Sequence, residues 1–219
     1  MADVSGVWVK VYPDAAEPGL PGLGGWADVT TVTGASGNRY TYTDADGDWV
    51  AYEWYDWTSK NAQQTGTITT SGGIVNCLVV ASGVAHNYGS SAPVTDAQLM
   101  FPAGLLDLSI GYATPTGSQG WYTDTIITPD GATDLQRQIV INSGITPTLD
   151  GIQGRNPNGQ YSSITGTEVL YGHCPNSWPG GFSPPGWGGI NSNNTPGAVI
   201  IRVPANHALA TIPGTWGDL

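Results

Sequence analysis

The sequence predicts an all-β fold: an antiparallel β-sandwich, jelly-roll-like, with long Gly/Pro-rich loops. Three observations lead there. Apolar, strand-like patterns recur about every ten to fifteen residues. Clusters of Gly, Pro, Asn and Asp separate them. Helical periodicity is nearly absent, and its best stretch, "ATDLQRQIV" at residues 132–140, is short and followed by β-branched residues.

Taken in order, strands are expected at residues 6–11, 26–33, 39–43, 49–55, 65–70, 74–81, 105–111, 121–128, 138–142, 168–171 and 198–203. In "GVWVKVY", Val7, Val9 and Val11 share one face, and Trp8 and Lys10 the other. In "WVAYEWY", Trp49, Ala51, Glu53 and Tyr55 oppose Val50, Tyr52 and Trp54. Both faces carry aromatics, which places this strand between two layers or against a neighbouring subunit. The stretch "TGTITTSGGIVNCLVVASG" reads as a half-exposed strand, a reversal at Ser71-Gly72-Gly73, and a core strand apolar on both faces.

Two regions follow from this pass. Residues 1–33 form an N-terminal strand element, suited to docking, and residues 34–219 form the sandwich. The sandwich carries a Gly/Pro/Asn-rich insertion around 143–197, with "GRNPNGQ" and "SWPGGFSPPGWGGINSNNTPG". An insertion of that length inside a compact fold is expected to be functional, or mobile, or packed on a neighbour.

At 219 residues the chain can bury a real core. Charged residues make up 11% of it, against about 25% in an ordinary domain. The net charge is −11, and the 6 basic residues (Lys10, Arg39, Lys60, Arg137, Arg155 and Arg202) are scattered. No stripe exists to neutralise a row of phosphates, which argues against nucleic acid and against an anionic membrane surface. No basic region followed by an apolar stretch opens the chain, and no run reaches the roughly 20 apolar residues of a membrane span. Synthesis in the cytoplasm without a membrane anchor is the expectation. Of the two cysteines, Cys77 sits in the apolar run as a small buried hydrophobe and Cys174 in the loop "YGHCPNSWPG". A Cys77–Cys174 bridge is open at this point, though cytosolic synthesis argues against it.

Candidate chemistry is sparse. "DADGDW" sets Asp44, Asp46 and Asp48 around Gly47, a turn that offers oxygens to calcium. The twelfth position of a complete calcium loop, which should be Glu, is Tyr55, so an acidic hairpin turn is the competing and preferred reading. No cofactor is otherwise expected. His86, His173 and His207 have no zinc spacing, and no CxxC, GxSxG or phosphate-loop motif occurs. His173 and Cys174, as neighbours in an extended segment, point apart rather than forming a nucleophile and base. Only three glutamates are present, Glu17, Glu53 and Glu168. Glu53 lies among Tyr52, Trp54, Tyr55 and Trp57, where a raised pKa and a sugar face are conceivable, but a solvent-facing acid is expected. The chain reads as non-enzymatic, with no catalytic residue assigned.

Aromatics in or beside the Gly/Pro loops are the more informative feature: Trp121, Tyr122, Trp178, Phe182, Trp187 and Trp216. As rigid rings they suit protein contacts, or stacking on a glycan, at little entropic cost. The alternative is that they fold back and plug the ends of the sandwich.

Four segments, "YTDADGDWVAYEWYDW", "TGTITTSGGIVNCLVVASG", "MFPAGLLDLSIG" and "PGAVIIRVP", occur in that order between residues 40 and 204. Together they resemble the glycine-rich domain of tailed-bacteriophage structural proteins, often minor tail proteins. That family shows an aromatic strand, a "TxTxxxGxxxxLVVGGGG" hairpin, a "LPAGxxxVxVG" strand, a glycine-rich stretch and a closing "GVVIVRxP" strand. The chain departs from it where "ASGVAHNYGSSAP" replaces the run of consecutive glycines. The resemblance implies a non-enzymatic virion component, in the tail more than the capsid, assembling as a symmetric oligomer with itself and other virion proteins. Alternatives are a carbohydrate-binding module recognising the host surface at the tail tip, and a capsid decoration protein.

Overall fold

The computed structural model describes residues 25–34, 37–56, 58, 62–83, 92, 94–112, 125–129, 139–141, 159–173, 184–187, 195–212, 214 and 216–219. The all-β expectation holds. The strands are β1 (Val29–Gly34), β2 (Asn38–Asp44), β3 (Gly47–Trp54), β4 (Gln64–Val80), β5 (Val94–Ile110), β6 (Thr125–Pro129), β7 (Ile139–Ile141), β8 (Gln160–Ser162), β9 (Val169–Tyr171), β10 (Ala198–Pro204) and β11 (Gly217–Asp218). Among the described residues the only helical turn is a 3-10 turn at Ala205–His207, and Ile139–Ile141 is strand, within the strand expected at 138–142. The strand proposed at 6–11 lies outside the described residues.

Nine strands form one sheet, in the order β11-β2-β3-β10-β4-β5-β6-β7, with β1 also paired to β4. All pairs in it are antiparallel except β11 with β2. The hairpin expected at Ser71-Gly72-Gly73 is not there. β4 instead runs straight through it as one strand of 17 residues, paired along its length with the equally long β5.

What the glycines supply is a change of phase. Gly66, Ile68 and Thr70 point into the core, and beyond the glycines it is Gly73, Val75, Cys77 and Val79 that do. β5 makes the matching switch near Gly104, from Phe101 to Leu106 and Leu108. Gly72, Gly73 and Gly104 all have positive φ (+82°, +138° and +115°), conformations that side chains disfavour. The register between the strands is unbroken across the switch. The long hairpin therefore bends, and its two halves belong to two layers.

One layer holds the first half of β4 and the second half of β5, flanked by β1 and β6. The other holds the remaining halves with β10, β3 and β2. Between them lies a continuous core containing Val32, Ile68, Leu106, Leu108 and Ile127 from the first and Val50, Tyr52, Trp54, Val79, Val199 and Ile201 from the second. Trp54 ties the layers together: its indole N–H donates to Thr33 O at 2.8 Å, and the ring lies where a Cβ on Gly66 would sit. The far face of the first layer is polar, with Thr31 and Thr33 bonded to Thr69 and Thr67 at 2.7 Å.

The far face of the second layer is different. Ala51, Leu78, Val80, Ala198 and Ile200 line it, and Ile164, Tyr171 and Ala92 pack on them as a second core. Ile164 and Tyr171 come from the Gly/Pro-rich insertion, whose described parts (159–173, 184–187 and 195–197) fold onto the chain's own sheet, and Ala92 comes from the segment before β5. Glycines permit the close approach: a Cβ on Gly166 would meet the Tyr42 ring, and one on Gly186 would meet Val80 and Ala81 O. Several backbone bonds hold this layer, among them Gly186 N–H to Pro196 O at 2.8 Å and Gly172 N–H to Pro185 O at 3.1 Å.

Candidate functional site: the outer face of the second layer

Alternation along β2, β3, β4, β5 and β10 sends one set of polar side chains to this outer face, and the insertion covers only part of it. Glu53 lies under the covered part. Expected to face solvent, it is 5% exposed, because residues far along the chain close over it. The Tyr40 hydroxyl donates to Glu53 Oε2 at 2.6 Å and Asn38 Nδ2 donates to the same oxygen at 2.9 Å. Burial raises the Glu53 pKa, with these two donors opposing it. The phenols of Tyr55 and Tyr171 face the same carboxyl and are themselves pushed up by burial and by Glu53. The arrangement suits a pin holding sheet and cover together, since a carboxyl enclosed in this way is not offered to a substrate.

Arg202 organises the open part. Its guanidinium lies 4.2 Å from the Trp49 ring centroid, and Trp26 packs edge-on to Trp49 at 5.3 Å. Nη1 donates to the Tyr42 hydroxyl at 3.0 Å and stands 3.6 Å from Asp44 Oδ2. With its oxygen turned to the guanidinium, the Asn76 amide accepts from Nη2 at 2.7 Å and Nε at 3.1 Å. In that orientation the Asn76 amide nitrogen is turned toward the Gln98 carboxamide. The cation is thereby fixed by a ring, a phenol, a carboxylate and an amide. Two clefts, of about 720 and 410 Å3, adjoin it and share Asn76, Gln98 and Arg202 in their walls.

Two of the acids of "DADGDW", Asp44 and Asp48, are engaged by their own hairpin. Asp44 Oδ1 accepts from the Asp46 N–H and from Trp49 Nε1, each at 2.8 Å, and Asp48 Oδ1 accepts from Thr43 Oγ1 at 2.6 Å. Desolvation works against ionisation of Asp44, but the Asp46 N–H, the Trp49 indole and Arg202 hold its pKa below the ordinary value. The three carboxylates do not converge, and among the described residues no group of three His, Cys, Asp or Glu side chains could hold a metal ion.

Of the six loop aromatics, Trp121, Tyr122, Trp178 and Phe182 lie outside the described residues. Trp216 is a core residue, 7% exposed, edge-on to Trp54 at 5.1 Å and to Tyr52 at 6.3 Å. It plugs the sandwich. Trp187 is half-buried, its indole donating to Leu170 O at 2.8 Å and its ring edge-on to His173 at 5.2 Å. His207 bonds Asp28 Oδ1 at 2.7 Å. Cys77 is a free, buried thiol whose pKa burial pushes up, with Asp96 adding to it. Cys174 and His86 lie outside the described residues.

Sequence reasoning passed over the residues of the groove itself: Arg202, Asn76, Gln98, Trp26 and Tyr161. One signal was present. "AVIIRVP" and "IVNCLVV" are apolar strands each interrupted by one polar residue, and the register pairs those two residues, Arg202 with Asn76. Comparison with known proteins yields no match to this chain among family models, curated proteins or solved structures.

Proposed function

We propose that this chain is a non-catalytic structural protein of a bacteriophage particle, a minor tail component working as a symmetric oligomer. One observation carries the reading. The four segments that resemble the phage glycine-rich domain lie on β2–β3, β4, β5 and β10, and β3, β10, β4 and β5 are consecutive neighbours at the centre of one sheet. A domain shared with that family would require these segments to adjoin, and they do. The engagement of Glu53, Asp44 and His207 in internal contacts supports a structural role as well. An acidic exterior, at net charge −11, favours solubility before assembly and a more basic partner afterwards.

Two measurements together test the proposal: sedimentation of the purified chain at tens of micromolar, and immuno-electron microscopy of assembled particles. An oligomer of defined size and labelling at a fixed tail position are expected. A compact monomer, combined with absence of the chain from purified particles, overturns the proposal.

A further inference from the structure

We infer that the open part of the outer face is a binding groove for a neutral saccharide chain. A sugar ring presents two different surfaces, a rim of hydroxyls that both donate and accept, and a flat patch of C–H bonds. A site for it combines planar polar groups with an exposed aromatic ring. The groove has both. Asn76 and Gln98 offer carboxamides where the two clefts meet, and Arg202 stands between them, already immobilised. Trp26 lines the larger cleft and is held edge-on by Trp49. Tyr161 lines the smaller one and is 63% exposed, the largest exposure of any aromatic side chain among the described residues. Rings thus stand in both clefts, with the amides between. Each cleft volume falls within or near the range of small-molecule sites.

Charge selects the class of ligand. Among the described residues Arg202 is the only basic one lining either cleft, and Asp44 faces it at 3.6 Å. Asp46 and Asp48 line one cleft, Asp96 and Glu168 the other. An anionic polymer would meet acids on both sides, and among the described residues no unpaired cation lines the clefts to offset them. A neutral glycan loses nothing there, and its hydroxyls can donate to the carboxylates. Immobilising Arg202 and Asn76 in advance also lowers the ordering cost of binding. Such a groove would serve a virion component or any other extracellular-facing protein alike.

The test uses the full chain with maltotetraose, cellotetraose and the tetramer of N-acetylglucosamine as neutral probes, and an oligogalacturonide as the anionic one. Saturation-transfer NMR and tryptophan fluorescence read binding. At least one neutral tetramer is expected to bind with Kd at or below about 1 mM, and the oligogalacturonide at least about tenfold more weakly. Tyr161→Ala and Gln98→Ala, both at positions outside the cores, should each weaken binding by about threefold or more with unchanged melting curves. Trp26→Ala should weaken it by about tenfold. Absence of binding by all three neutral tetramers overturns the inference. So does binding that Tyr161→Ala and Gln98→Ala leave untouched, or a preference for the anionic probe.

Discussion

Tyr161 and Tyr171 sit on the two strands of one small hairpin, β8 and β9, and meet opposite fates. Tyr171 is 2% exposed, packed over Leu78, Ala198 and Ile200 beside the buried Glu53. Tyr161 is 63% exposed and stands over the open cleft near Arg202. The sheet beneath explains the difference. Where β3, β4 and β10 turn Ala51, Leu78 and Ile200 outward, the insertion gains by covering them. Where Asn76, Gln98 and Arg202 point outward, covering would cost desolvation, and the face stays open. One face thus divides into a part that builds the molecule and a part that remains free to bind.

Removing the ring on the built side should have the largest effect. Tyr171→Ala empties the second core and is expected to cost about 3–5 kcal/mol by urea unfolding. A loss below about 1 kcal/mol would mean that the insertion contributes little to the fold. Arg202→Lys, at the boundary, keeps the charge but loses the two-pronged contact with Asn76 and the stacking on Trp49, at a cost of about 2 kcal/mol. If lysine proves equivalent, the guanidinium geometry does not matter.

Glu53→Gln gives a smaller effect that appears only against pH. Burial raises the Glu53 pKa, so the folded state keeps a proton that the unfolded chain has already released. The contribution of this group is complete in acid and is lost as pH rises from the ordinary glutamate range toward the raised value. Glutamine keeps the acceptor for Tyr40 and Asn38 without ionising. As pH rises above about 4.5 the variant should therefore lose less stability than the parent, and parallel curves would show that Glu53 does not ionise differently on folding. The smallest effect is expected on the open side, where Tyr161→Ala should leave stability within about 0.5 kcal/mol.

Much of this architecture was legible in the sequence. The expected strands at 39–43, 49–55 and 198–203 match β2, β3 and β10 closely, because alternating or continuously apolar runs between turn residues are a local signal. Ser71-Gly72-Gly73 misled for a physical reason. Positive φ serves a reversal and a bend equally well, and only the phase of the flanking side chains, even before and odd after, distinguishes them. The first half of β5 was missed because its outward residues, Asp96, Gln98 and Met100, dilute the strand pattern. Burial of Glu53 was not legible at all. Its donors stand on the adjacent strand, but its cover comes from Tyr171 and neighbouring residues more than a hundred positions away. The same holds for the groove, where Trp26, Asn76, Gln98, Tyr161 and Arg202 meet only after the sheet has closed.

The bent β4–β5 hairpin also decides how the molecule yields under load. Two stacked sheets joined only by loops can be peeled apart one after the other. Here the same two strands are members of both layers, in one ladder of constant register from Gln64–Ile110 to Val80–Val94 that lacks only the Gly72–Pro102 pair. A pull that separates the layers must flex this ladder at its glycines, and a pull along it must shear many rungs at once. A molecule joined in this way is expected to fail as a single piece rather than layer by layer.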